Sequence, residues 1–388
     1  MPAEDTEQPS FTDIDWEEQA VSTARLSRTA IVEIIAFTVL IGGFVYDYAF
    51  LNKSATITWP FVWDINSAEW MFLGTLLILV FHAVVPLYQN PRMTAYYWKE
   101  FKKNKAAVAS LILLIVIFVI GIVGPIVLSP PEVQFTDRIS PPVFNPLGSD
   151  GTWEHPFGTT DQGMDVAKLV IFGMRVSMEV GLTAMVMAVG IGSIVGTVAA
   201  YATSIERDWI DELLMRYVDI QSVFPVFLML LIIIYLFSAQ LWFIIALYGI
   251  FSWEGIARAT RSEGLQRAEE EYVQAARAAG ANTGSIVRRH MIPNVSNSII
   301  TLATLLIPGF ILGEATLAFL GFSDPGVFSW GRTISLGRDN LTSAWWISTI
   351  PGIFLAFTAL AFSFIGDAMR DALDPRQQAD SNAKEGDR

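Results

Sequence analysis

The chain has no cysteine in 388 residues. Disulfides, thiolate nucleophiles and cysteine-ligated metals are therefore excluded. Histidine is nearly as scarce, at three. No His-Glu-x-x-His pair and no credible Ser-His-Asp frame is present, which disfavours an intramembrane protease. A Gly-x-x-x-x-Gly-Lys-Ser/Thr loop is also missing, so the chain does not itself cradle nucleotide phosphates in that way. Charge is thin: 16% of residues are ionisable and 53% hydrophobic, where soluble domains carry about 25% charged residues. The windows 106–128, 180–204, 220–253 and 341–366 hold no charge at all. Each is long enough for a helix of roughly 20 residues to cross a hydrocarbon core of about 30 Å. The chain reads as an integral, polytopic, all-α membrane protein.

The first thirty residues lack both an apolar core and a basic start, and they carry Glu4, Asp5, Glu7, Asp13, Asp15, Glu17 and Glu18. This is no secretory signal but an acidic cytoplasmic tail. The net charge is -13. Two readings of it stand: wetted surfaces suited to concentrated salt, or simply a pair of acidic tails. Eight spans are expected, at about Ile31–Leu51, Trp70–Leu87, Ala106–Leu128, Met178–Tyr201, two within Ile220–Trp253 turning at Ser238-Ala239-Gln240, Pro293–Phe319 and Trp346–Ile365. Lys and Arg crowd one alternating set of loops, which holds Arg25, Arg28, Arg92, Lys99, Lys102, Lys103, Lys105, Arg207, Arg216, Arg258, Arg261, Arg267, Arg277, Arg288, Arg289, Arg370 and Arg376. The other set holds Lys53, Arg138, Lys168, Arg175, Arg332 and Arg338. The basic set is cytoplasmic, so both termini lie inside. Asn52 and Asn340 then fall in outer-face glycosylation acceptors.

Between the sixth and seventh expected spans lies a polar, Arg-rich stretch, Glu271 to Asn294. Tyr272 to Ala279 consists largely of good helix formers and Gly280 stands where a helix would stop. Ile286 to Met291 can resume the helix, and Pro293 suits the start of a span. A short amphipathic helix beside the membrane reads as a docking device; the plainer reading is a solvated connector.

Gln274, Ala275, Ala276, Gly280 and a proline thirteen positions on at Pro293 match the Glu-Ala-Ala docking loop of membrane subunits of ABC importers. Gln274 stands where the general motif has Glu. The chain resembles permeases of the dipeptide, oligopeptide and nickel transporter family from about Tyr97 to Arg376, and Arg289-His290-Met291-Ile292-Pro293-Asn294 is close to that family's usual ending. His155-Pro156-Phe157-Gly158-Thr159 with Asp161-Gln162-Gly163 and Asp165, the stretch Asp211 to Arg216, Ser329-Trp330-Gly331 and Leu373-Asp374-Pro375-Arg376 match further family segments. Thr160 and Met164 depart from the usual acid and Arg.

The resemblance implies a type I ABC importer permease core of six helices at 91–376, with the docking loop at 263–293. Two extra transmembrane helices at 31–90 precede it, and acidic tails at 1–30 and 377–388 flank the whole. It implies ATPase contact through Tyr272, Gln274, Ala275, Ala276, Arg277, Gly280, Arg288, Arg289, His290 and Pro293. It also implies a second related permease, two ATP-binding subunits, an external solute-binding protein and surrounding lipid. ATP and Mg would sit on the ATPases, with no cofactor on this chain and no nucleic-acid partner. Peptides are the first choice of cargo, with nickel complexes or sugars as alternatives, and an ion-coupled secondary transporter is the competing reading. Glu314, an acid in a span, stands as either a gate or the partner of Arg332 or Arg338. Asp161 and Asp165 are too few for a calcium site and read as turn formers. Gly192 and Gly196 form a small-xxx-small packing pair, and His82 reads as a packed interface histidine.

Overall fold

A computed structural model describes residues 27–51, 55–57, 63–146, 151–237, 239–287 and 291–373, with side chains throughout except at 283 and 292–298. The expectations for Asn52, Ser238, Arg288, Arg289, His290 and both acidic tails lie outside these residues, as does that for the side chain of Pro293. Among the described residues, seven helices are long and apolar enough to cross a membrane, and one bent pair makes a further candidate.

Two helices come first. α1, Arg28–Leu51, starts where the Ser27 hydroxyl accepts from Ala30 N at 3.1 Å. α2, Ser67–Gln89, starts with a reciprocal capping box between Asn66 and Glu69, which satisfies two otherwise orphan amides. They pack where Gly43 lets the Trp70 ring approach, and the Trp70 indole donates to Asp47 at 2.9 Å. His82 is not packed: it is 65% exposed and lies 3.7 Å from Glu33 of α1. The π-helical turn Val80–Val84 shifts the register, so His82 leaves the stripe through which Ala68, Phe72 and Thr75 face the core.

α3, Pro91–Phe101, is a short amphipathic helix, and α4, Lys105–Val127, is a span. α5, Val166–Ser204, runs for 39 residues, roughly 58 Å at 1.5 Å per residue. The sequence placed its start near Met178. It begins a dozen residues earlier because Asp165 caps it, accepting from Ala167 N at 2.7 Å and Lys168 N at 3.2 Å. α5 is the central post, packed by α4 and by most later helices.

α6, Asp208–Val223, and α7, Val226–Leu236, meet at a 77° bend. Pro225 drives Phe224 out of the helical region and offers no amide, so the expected fifth span is broken. α8, Leu241–Phe251, begins after the break at 239–240, where Leu241 N donates to Asp324 at 3.1 Å. α9, Glu254–Ala268, continues it well past Trp253, where the sequence ended the span. Its arginines are held against α6: Arg261 pairs with Asp211 at 2.5 Å and Arg258 with Asp219 at 3.3 Å. Gly192 and Gly196 let α9 ride on α5, for a side chain at either would strike Ile256 or the backbone of Ala257.

After the short helix α10, Glu271–Ala278, α11, Ile292–Phe319, returns through the bundle. α12, Trp330–Gly337, and α13, Trp346–Leu373, close the fold.

Candidate functional site

α10 and the turn after it stand on the end of α5. Val273, Ile286 and Met291 are fully buried and pack with Ala200 and Tyr201 of α5 and Ala268 of α9. The opposite face of α10 presents Tyr272, Gln274, Ala275 and Ala278, all exposed. This pattern is amphipathic on a helix of eight residues, too short to persist in water without the packed face.

The end of α10 is a Schellman turn. Gly280 N donates to Arg277 O at 3.0 Å, and Ala281 N to Ala276 O at 3.1 Å. Gly280 sits at φ +81° with open space around it, so glycine is required there by backbone conformation and not by room. Asn282 then caps the single turn Thr283–Ile286, accepting from Ser285 N at 2.8 Å. Pro293 lies at the second position of α11, where its missing amide costs nothing.

Arg277 fastens this unit to α5. Its two terminal nitrogens donate to Ser204 O and to Ser204 Oγ, each at 2.9 Å, and its guanidinium lies 5.5 Å from the Tyr201 ring centroid. Ser204 O is one of the unpaired carbonyls at the helix C-terminus, where a cation is favoured. Gln274 explains its own departure from Glu: its amide nitrogen donates to Glu269 O at 3.0 Å, which an ionised carboxylate cannot do. Ser204, Ala268, Glu269, Gln274, Arg277 and Ala278 line an open groove of about 490 Å³. Sequence reading missed Ser204 and Tyr201, for nothing local links residues 73 apart.

The far end of α5 is set by the other motifs. The Trp330 indole donates to Val170 O at 2.9 Å and fits a notch left by Gly173. The Trp346 indole donates to Thr159 O at 3.0 Å and packs on Gly158, at φ +77°. Asp165 uses both carboxylate oxygens, one in capping α5 and one 3.0 Å from His155 Nδ1. The described residues hold no group of three or more His, Asp or Glu placed to bind a metal.

Glu314 is 4% exposed and bonds to Ser329. The ion pair expected with Arg332 or Arg338 is not made. Arg332 instead binds Pro325 O at 2.7 Å and Val327 O at 2.9 Å, and Arg338 reaches Asp339 at 3.2 Å. The bare α-carbons of Gly313 and Gly331 let the Tyr248 hydroxyl and Ala315 approach closely, so the segment around Glu314 is the seat on which α12 rests. Asn340 lies in the turn after α12, its carbonyl accepting from Ala344 N at 2.7 Å.

This is a polytopic membrane protein that holds a short polar helix against one end of its central span. The chain belongs to the family of binding-protein-dependent transport system inner membrane components, whose pattern matches residues 188–379; that of the N-terminal TM domain of oligopeptide transport permease C matches residues 92–142. It is 35% identical over 284 residues to the dipeptide transport system permease protein DppC of Bacillus subtilis, spanning 72% of this chain and 84% of the relative. It is 35% identical over 283 residues to the oligopeptide transport system permease protein OppC of Haemophilus influenzae, spanning 72% and 88%. With OppC of Escherichia coli it shares 33% over 281 residues, 72% and 90%.

Proposed function

We propose that the chain forms half of the translocation pore of an ATP-driven importer for peptides or related small solutes, and that α10 is its contact with partner ATPases. The observation that carries this reading is the clamp of Arg277 on Ser204. It joins a helix with an exposed polar face to the end of the longest span, so a push on α10 is delivered to α5. The relatives named for dipeptide and oligopeptide transport support the cargo class. In this reading the chain has no ATP site of its own. ATP and Mg sit on two ATP-binding subunits, a second related permease completes the pore, and an external solute-binding protein delivers the cargo. Both termini face the cytoplasm with the docking segment, and the acidic balance of -13 suits a host in concentrated salt.

The test is a gentle-detergent pull-down of the full chain from its native membranes, with partners identified by mass spectrometry. The expected result is a second permease, two ATPases and a solute-binding protein, followed by peptide uptake in reconstituted vesicles. Recovery of the chain alone at every salt concentration overturns the reading in favour of an ion-coupled transporter.

A further inference from the structure

The residues before 92 lie outside both matched stretches, yet they reach into the core. Glu69, near the start of α2, lies 2.5 Å from an Arg175 terminal nitrogen on α5. Arg175 Nε is 3.1 Å from Glu179, one helical turn further on. The guanidinium stands 4.9 Å over the Trp63 ring. The Trp63 indole donates to Glu69 Oε2 at 3.2 Å, and Asn66 N donates to the same oxygen at 2.9 Å. Glu69 is 7% exposed and Glu179 2%.

Three ionisable side chains are thus taken out of water together, which is tolerable only while every member keeps its partners. Only an arginine has the planar fork to serve two carboxylates and the face to stack on an indole. Gly121 of α4 backs the site, for a side chain there would crowd Arg175 N at 3.0 Å. On the hairpin side, Asp47 of α1 holds both the Trp70 indole and the Thr56 hydroxyl, each at 2.9 Å. The chain from α1 to α5 is continuous in polar contacts.

We propose that the α1–α2 hairpin is a built-in brace on α5. Glu69 and Trp63 hold Arg175, fix the end of α5 remote from the docking segment, and so limit how α5 moves when α10 is displaced. Arg175 is a positioning residue here. The functional half of this proposal rests on the docking reading above; the structural half does not.

The test uses the full chain with Glu69→Gln, which leaves Arg175 and Glu179 as a one-to-one pair and keeps the shape needed for the capping box. Trp63→Leu serves as a second, independent variant. Hydrogen exchange is expected to quicken roughly tenfold across residues 166–179 as well as across α2, although neither substitution lies in α5. Faster exchange confined to α2 overturns the brace. In the assembly with its ATPases, basal ATP hydrolysis without solute is expected to rise about fivefold, a usual size for coupling between sites. A merely structural loss lowers that rate, and an unchanged or lowered rate overturns the functional half. Failure of the wild-type chain to bind any ATPase sinks the docking reading, while hydrogen exchange still decides the brace.

Discussion

Replacing Arg277 by alanine tests the clamp between α10 and α5 most directly. The guanidinium makes two hydrogen bonds to Ser204, one to a carbonyl and one to a hydroxyl, and it stacks on Tyr201. Hydrogen bonds from a charged group contribute about 1.5–3 kcal/mol each in net terms, and a half-exposed site such as this one belongs at the low end. The cation–π contact adds about 0.5–1 kcal/mol. The loss is then about 3.5–4 kcal/mol, or several hundredfold in the equilibrium for lifting α10 off α5. The apolar contacts of Val273, Ile286 and Met291 remain, so the segment loosens without unfolding the bundle. The assay is hydrogen exchange of residues 273–281 in detergent, compared with exchange in α5 as an internal reference. Ser204→Ala removes the hydroxyl and spares the carbonyl, so it is expected to cost about 1.5 kcal/mol, or roughly tenfold. The double variant should exchange no faster than Arg277→Ala alone, because both changes break one interaction. Wild-type exchange in Arg277→Ala, or strictly additive effects in the double variant, would refute the clamp.

Three other substitutions follow from the same geometry. Gly280→Val places a β-branched residue at φ +81°, at a cost of at least about 1–2 kcal/mol; pull-down of the ATPases should weaken while the amount of chain in the membrane stays unchanged. Gln274→Glu turns the donor facing Glu269 O into a carboxylate that can only accept, and exchange at residues 269–274 should quicken by a factor consistent with about 1 kcal/mol. Trp330→Phe removes the indole bond to Val170 O and part of a fully buried ring, which should lower stability by about 1–3 kcal/mol; a denaturation midpoint equal to wild type counts against the notch on α5 described for Trp330.

The charge-free windows made the apolar spans legible, because a membrane core leaves few ways to satisfy a charge. The turn after α10 was legible too, since Gly280 and Pro293 act through their own backbones and announce themselves locally. What failed was taking charges as the boundary of α5. Lys168 and Arg175 read as loop residues and pushed the start of α5 to Met178, yet both lie inside it. Lys168 reaches the Ser129 hydroxyl at 3.0 Å, while Arg175 finds Glu69 from 106 positions earlier, a partner with no imprint on the local pattern. The same holds for Glu314, whose nearest sequence candidates were Arg332 and Arg338. Both arginines are taken by carbonyls or by a neighbouring aspartate, and Ser329 is the bond it makes. Polar pairing across a bundle is a long-range property, and periodicity reports only the short range.

Glycines in α5 show the limit most sharply, because Gly190, Gly192 and Gly196 look alike in the sequence. A side chain at Gly192 would meet Ile256 and the Trp253 carbonyl at 2.7 Å, and one at Gly196 would strike the Ala257 carbonyl, whereas Gly190 has nothing within 4 Å. Alanine at Gly190 should therefore stabilise the chain by about 0.5–1 kcal/mol, since glycine in a helix interior gives up more backbone entropy than alanine. Alanine at Gly196 must instead push α9 away, at a cost of about 1–3 kcal/mol from overpacking. The sign of the effect should reverse within six residues of one helix. Denaturation midpoints of Gly190→Ala and Gly196→Ala, measured on the isolated chain in detergent, check this. A loss at Gly190 equal to that at Gly196 would refute the packing described for α5, and a gain in the isolated chain that turns to a loss in the assembled transporter would mark Gly190 as the place where a second subunit meets α5.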